Sequence, residues 1–251
     1  MTDIHLSTAA TDAATNARRA NLIHGVPALV SAILLAAVVW WLVPWFIAVL
    51  AAVGTGVFVA WWSSRSAVPI ALRSVAAERS EPSDNPRYHN LVDGLCVAAG
   101  VRVPTLHVID DPAANALATG SRSDRASLAV TSGLLERLNP VELEGVLAHC
   151  LARIATNEIA PATALLPILA RLGPLGAKTR SAVIDEHHLW RSDVAAVATT
   201  QYPPGLIGAL DHMRTATEPH RAGPALDHLW IIPAGAEPRD LDVRIAALRE
   251  L

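Results

Sequence analysis

Apolar residues run almost unbroken from 26 to 62, and after them the chain changes to short apolar runs separated by polar turns. A single membrane crossing needs about 20 helical residues, so a run of this length is close to two crossings. Pro44 lies near its middle with Trp40, Trp41 and Trp45 around it, and Trp61 and Trp62 close its far end. Tryptophan favours the membrane interface, so the pattern predicts a two-helix transmembrane hairpin over 23–62 that turns at Val43 and Pro44. Two small-residue stripes at i+4 spacing, Ala28, Ala32 and Ala36, then Ala48, Ala52, Gly56 and Ala60, would let the two helices approach closely. Arg18 and Arg19 precede the run and Arg65, Arg73 and Arg79 follow it, which places both termini in the cytoplasm by the positive-inside rule. Residues 1–22 read as a flexible tail and 63–85 as a connecting segment, helical until the Glu81, Pro82 and Pro86 break.

Beyond residue 86 the period shortens and alternates. Leu91, Val92, Leu95 and Ala99 recur at helical spacing with Gly100 as a stop, and residues 105–109 and 127–131 read as strands. Pro140 suits the first turn of a helix running to about Thr156, whose broad apolar face holds Leu143, Val146, Leu147, Cys150, Leu151 and Ile154. Residues 159–175 are apolar but interrupted by Pro161, Pro167 and Pro174, too short and broken to cross a bilayer; they lie on its surface or pack beneath the domain. The expected fold is therefore α+β: the hairpin, then a mostly helical domain over 86–251 with a small sheet.

Composition agrees with an anchored protein, at 52% apolar residues with positive mean hydropathy. A net charge of −3 with scattered arginines excludes a nucleic-acid surface, and two cysteines are too few for a disulfide framework. The bilayer is the one partner that composition alone implies.

The candidate chemistry lies in His149, Cys150, Leu151, Ala152 and Arg153, with Asn115 to Gly120 (N-A-L-A-T-G), Leu128 to Leu135 and Leu143 to His149 upstream, and Arg191 to Ala195 and Tyr202 to Leu206 downstream. Together these segments closely resemble the HtpX-like and CAAX-prenyl-protease family of membrane zinc metallopeptidases. There the pattern is N-A-F-A-T-G, A-V-T-x-G-L-L and L-A-H-E-x-x-H, followed by E-x-x-A-D. The resemblance implies a gluzincin-like scaffold in which two histidines one helical turn apart and a later glutamate hold zinc, while the glutamate after the first histidine takes a proton from zinc-bound water.

In this chain the resemblance leaves His149 as a candidate ligand and Asp193 as the retained aspartate. Cys150 stands at the base position, Arg153 at the second-ligand position and Leu189 at the third. Arginine has no lone pair to offer a metal. His187 and His188 lie near the third-ligand position and, with His149, are weak candidates for an improvised metal site; the alternative is that they face solvent or make hydrogen bonds. Arg153 either stands in for the metal's charge by pairing with Asp193 or reaches solvent from the helix edge. Cys150 is expected to point into the core as a small hydrophobe.

Three functions follow. The first is a membrane-anchored pseudopeptidase, without a cofactor, that binds unfolded or membrane-protein segments or an active relative along the strand Ser127, Leu128, Ala129, Val130 and Thr131, by main-chain hydrogen bonds. The second is an active zinc endopeptidase with non-standard ligands, zinc being the cofactor the resemblance implies. The third is a structural membrane subunit whose hairpin is the working part.

Overall fold

The computed structural model describes residues 2–172, 188–214, 225–233 and 238–251. Two compact units make up the chain, Met1–Ala60 and Trp61–Leu251. Helix α1, Thr2–Ser74, carries the apolar run, and within it Val30–Gly56 is long and apolar enough to cross a membrane. The helix continues through Val43 and Pro44 with no turn between two spans. A proline inside a helix removes one hydrogen bond and bends the helix, and it does not oblige the chain to reverse. The helix also takes in residues 2–22, expected as a flexible tail; alanine, abundant there, is the strongest helix former.

The second unit is built on a four-stranded sheet in the order β1, β2, β4, β3. Strands β2 (Thr105–Ile109) and β4 (Ala126–Thr131) are parallel, while β1 (Glu78–Arg79) and β3 (Ala116–Gly120) flank them antiparallel. Both expected strands are present. The two flanking strands went unpredicted, because β1 has two residues and β3 is made of small residues with no alternation to reveal it.

Helix α2, Pro86–Ala99, ends at Gly100, whose φ of 65° is the left-handed conformation that suits glycine. Helix α3 is Ser132–Arg137, and α4 is Pro140–Ala155. A capping box starts α4: Asn139 Oδ1 accepts from the Val141 and Glu142 amides, and Glu142 accepts from the Asn139 amide. There follow α5 (Ile159–Leu172), α6 (His188–Thr200), α7 (Pro203–Arg214), the short turn Asp227–Leu229, and α8 (Pro238–Leu248).

Residues alternate across the sheet, so it feeds two cores. Leu128, Val130, Ala116 and Ala118 face a cluster filled by α2, α4, α7 and α8. Leu117, Ala129 and Ile109 face a second cluster with Ala71 in the last turns of α1, Val75 just after it, Ala162 and Leu166 of α5, and Trp230. Of the two places open to residues 159–175, the described part takes the one beneath the domain, its buried residues Ile159, Ala162, Thr163 and Leu166 turned inward. Helix α4 is the central element and packs on α2, β3, α6 and α7. Its closest crossing needs Gly145, since a Cβ there would stand 2.7 Å from the Leu206 amide nitrogen.

Candidate functional site

His149, in the middle of α4, is fully buried, and its Nδ1 lies 2.7 Å from Asp193 Oδ1 on α6. Arg244 of α8 grips the same carboxylate with two prongs, Nε to Oδ2 at 2.7 Å and Nη2 to Oδ1 at 2.8 Å, and its Nη1 donates to the Ile231 carbonyl at 3.0 Å. A planar guanidinium meeting a carboxylate in this way forms the strongest class of side-chain hydrogen bond. Burial pushes the Asp193 carboxyl upward, but Arg244 and His149 outweigh it and hold the group at about 2. Burial lowers the affinity of His149 for a proton, the Asp193 charge works against that, and the nearby Arg244 and Arg153 add to the lowering. His149 is thus a neutral imidazole donating its Nδ1–H to Asp193, and its Nε2 is buried with no hydrogen-bond partner among the described residues.

One turn along α4, Arg153 is 1% exposed. Its Nη1 donates to the Leu229 carbonyl at 2.7 Å and its Nη2 to the His228 carbonyl at 2.9 Å. Both expectations for Arg153 are therefore corrected: it neither pairs with Asp193 nor reaches solvent. Arg244, arriving from 51 residues beyond Asp193, already fills the two carboxylate oxygens. The sequence carried a signal for it, since Arg244 shares a helical stripe with the buried Leu241, Ile245 and Leu248.

Cys150 points into the core as expected, at 0% exposure, and burial raises its thiol to about 12 despite the opposing Arg153 charge. It is neither a base nor a nucleophile at neutral pH. Leu189 is half-buried on α6 and offers no donor. His187 lies outside the described residues, and of His188 only its place at the start of α6 is described.

The strand expected to receive an extended segment is also corrected. Ser127, Leu128, Ala129, Val130 and Thr131 belong to β4, which pairs with β2 on one side and β3 on the other. An interior strand has no free main-chain groups to offer. The edges are β1 and β3, and the chain's own residues lie along β3: Leu117 bridges Trp230, the Ile231 amide donates to the Ala116 carbonyl at 2.9 Å, and Thr163 Oγ1 accepts from the Gly120 amide at 3.0 Å.

Zinc needs at least three converging side-chain donors for a catalytic centre. Among the described residues no group of three His, Cys, Asp or Glu side chains could hold a metal ion. His149 Nε2 is one well-oriented donor, but a guanidinium stands at the next position, so these residues do not fit a zinc centre.

Comparison with known proteins agrees with the motifs. Residues 82–203 match the model of peptidase family M48. A Protease HtpX homolog of Tropheryma whipplei (strain Twist) is 29% identical over 198 residues, covering 64% of this chain and 68% of that protein. One from Levilactobacillus brevis is 27% identical over 225 residues, covering 73% and 76%. In Caldanaerobacter subterraneus subsp. tengcongensis a Protease HtpX homolog reaches 39% identity over 99 residues, covering 39% of this chain and 33% of its own.

Proposed function

Since this chain is an HtpX-like member of peptidase family M48, we propose that it is a membrane-anchored pseudopeptidase that binds protein segments without cutting them. One observation carries the reading: Arg153, at the second-ligand position, is buried and committed to two backbone carbonyls. Hydrolysis by the family's route needs a metal to lower the pKa of water and a base to take its proton. Arg153 blocks the first and Cys150 cannot supply the second. His149, Asp193 and Arg244 tie α4, α6 and α8 together at this point, and what such a scaffold can still do is bind extended segments of unfolded or membrane proteins, or an active relative.

The rival, an active zinc endopeptidase, draws on His149 itself, whose Nε2, unpartnered among the described residues, and Asp193-locked tautomer are those of a metal ligand. The two separate on unfolded casein, incubated with the detergent-purified full chain and added zinc. We expect no cleavage above a His149→Ala control; cleavage that disappears in that control overturns the proposal.

In a bilayer the anchor is proposed to be the hairpin over 23–62, with both termini in the cytoplasm, the continuous helix breaking at Val43 and Pro44 to form it. Length supports it: residues 26–62 carry no charge, and as one straight helix they would rise roughly 55 Å, against a hydrocarbon core of about 30 Å. Reporter fusions at the two termini should give the same cytoplasmic signal. Opposite signals would mean a single span over Val30–Gly56.

A further inference from the structure

We infer that residues 228–232 are a built-in occupant of the β3 edge, and that Arg153 is the clamp that keeps them there. The segment is held as a docked peptide would be, through its main chain. Arg153 takes the His228 and Leu229 carbonyls, and Arg244 takes the Ile231 carbonyl. Asn115, just before β3, donates from Nδ2 to the Ile232 carbonyl at 2.8 Å and accepts the Ile232 amide on Oδ1 at 3.3 Å. The Ile231 amide goes to Ala116, and Trp230 pairs with Leu117.

A sheet edge is a template for any extended chain, and covering it with the protein's own residues is one way to keep it closed. Here the closure reaches into the degenerate site. Arg153 donates from the α4 position one turn after His149, while Arg244, which holds Ile231, also holds the carboxylate that orients His149. The residue that removes the second metal donor is therefore the one that pins the edge shut. This inference rests on the binding reading, to which it adds where an extended segment docks and what must move first. Leu229, Trp230 and Ile231 are each 1% exposed or less, so the occupant is apolar as well as extended, and a displacing segment would share that character.

The test uses the full chain in detergent and two variants that weaken the clamp from different sides, Arg153→Met and Asn115→Ala. Amide hydrogen exchange is read across the chain, together with binding of a synthetic peptide carrying residues 226–233 with polar flanks. We expect exchange to quicken about ten-fold or more at 116–118 and 229–232 in both variants while α2 stays protected, which is the loss of one or two buried hydrogen bonds. The peptide should bind the variants and fail to bind the parent chain. Unchanged exchange in both variants, or equal peptide binding by the parent chain, overturns the inference. Failure of the pseudopeptidase reading would appear separately as His149-dependent cleavage of casein, which leaves the exchange result intact.

Discussion

Two arginines are buried around His149, and they are held in opposite ways. Arg244 is neutralised: its fork closes on Asp193, and the pair is bonded further to His149 and Ile231. Among the described residues Arg153 meets no carboxylate within bonding distance; two carbonyls solvate its charge, and burial lowers its pKa from the ordinary value. Removing one half of a buried ion pair strands the other half, whereas removing a cation solvated by carbonyls leaves only neutral groups behind. One end of the His149 cluster is thus expected to be structurally indispensable, while at the other the fold accommodates a buried cation.

The largest effect should follow Arg244→Leu, which leaves Asp193 a buried, uncompensated carboxylate. We expect a loss of about 3–5 kcal/mol, read as a melting temperature lower by roughly 10 °C or more. A loss no larger than that of the Arg153 variant would erase the contrast.

Acid should act on the same pair. Asp193 is held at about 2, below the ordinary carboxylate value near 3.9, so its contribution is complete above that ordinary value and disappears as pH falls through about 2. Denaturant titrations between pH 5 and pH 2 should show about 2–3 kcal/mol lost from this group, and Asp193→Asn should abolish that part of the slope. An Asn variant with an unchanged slope would assign the acid sensitivity elsewhere.

Arg153→Met should cost at most about 2 kcal/mol, because desolvation of the guanidinium is relieved while two carbonyls lose a donor. A cost equal to that of Arg244→Leu would mean that Arg153 is part of the folding core. The smallest effect is expected at the thiols. Burial raises Cys150 to about 12, and burial with the Asp93 charge raises Cys96 to about 11, so iodoacetamide at pH 8 should modify neither until the chain is denatured. Labelling of native Cys150 would place it in an open site.

Local pattern reveals whichever parts of this molecule depend on local pattern. Helix α4 is visible in Asn139, Pro140 and Glu142 at its start and in the apolar face that buries Cys150, and α2 is visible through Gly100. The family motifs bring His149 and Asp193 to attention 44 residues apart, and the structure joins them. The carboxylate that Arg244 grips and the carbonyls that Arg153 takes lie 51 and 75–76 residues away, and no periodicity encodes such a distance. Strand β4 shows the same limit differently. An apolar run reads alike at an edge and in an interior, and only its pairing with both β2 and β3 decides. The uncharged run of 26–62 announces an apolar helix plainly, while the proline within it fits either a turn or a bend.

The central claim is that Arg153 stands at the second-ligand position and that His149 therefore holds no metal. Mass-spectrometric metal content of the full chain, purified in detergent with added zinc and no strong chelator, tests this beside a His149→Ala control. The account predicts metal at background in both. Near-stoichiometric zinc that is lost in the control would contradict it and restore the enzyme.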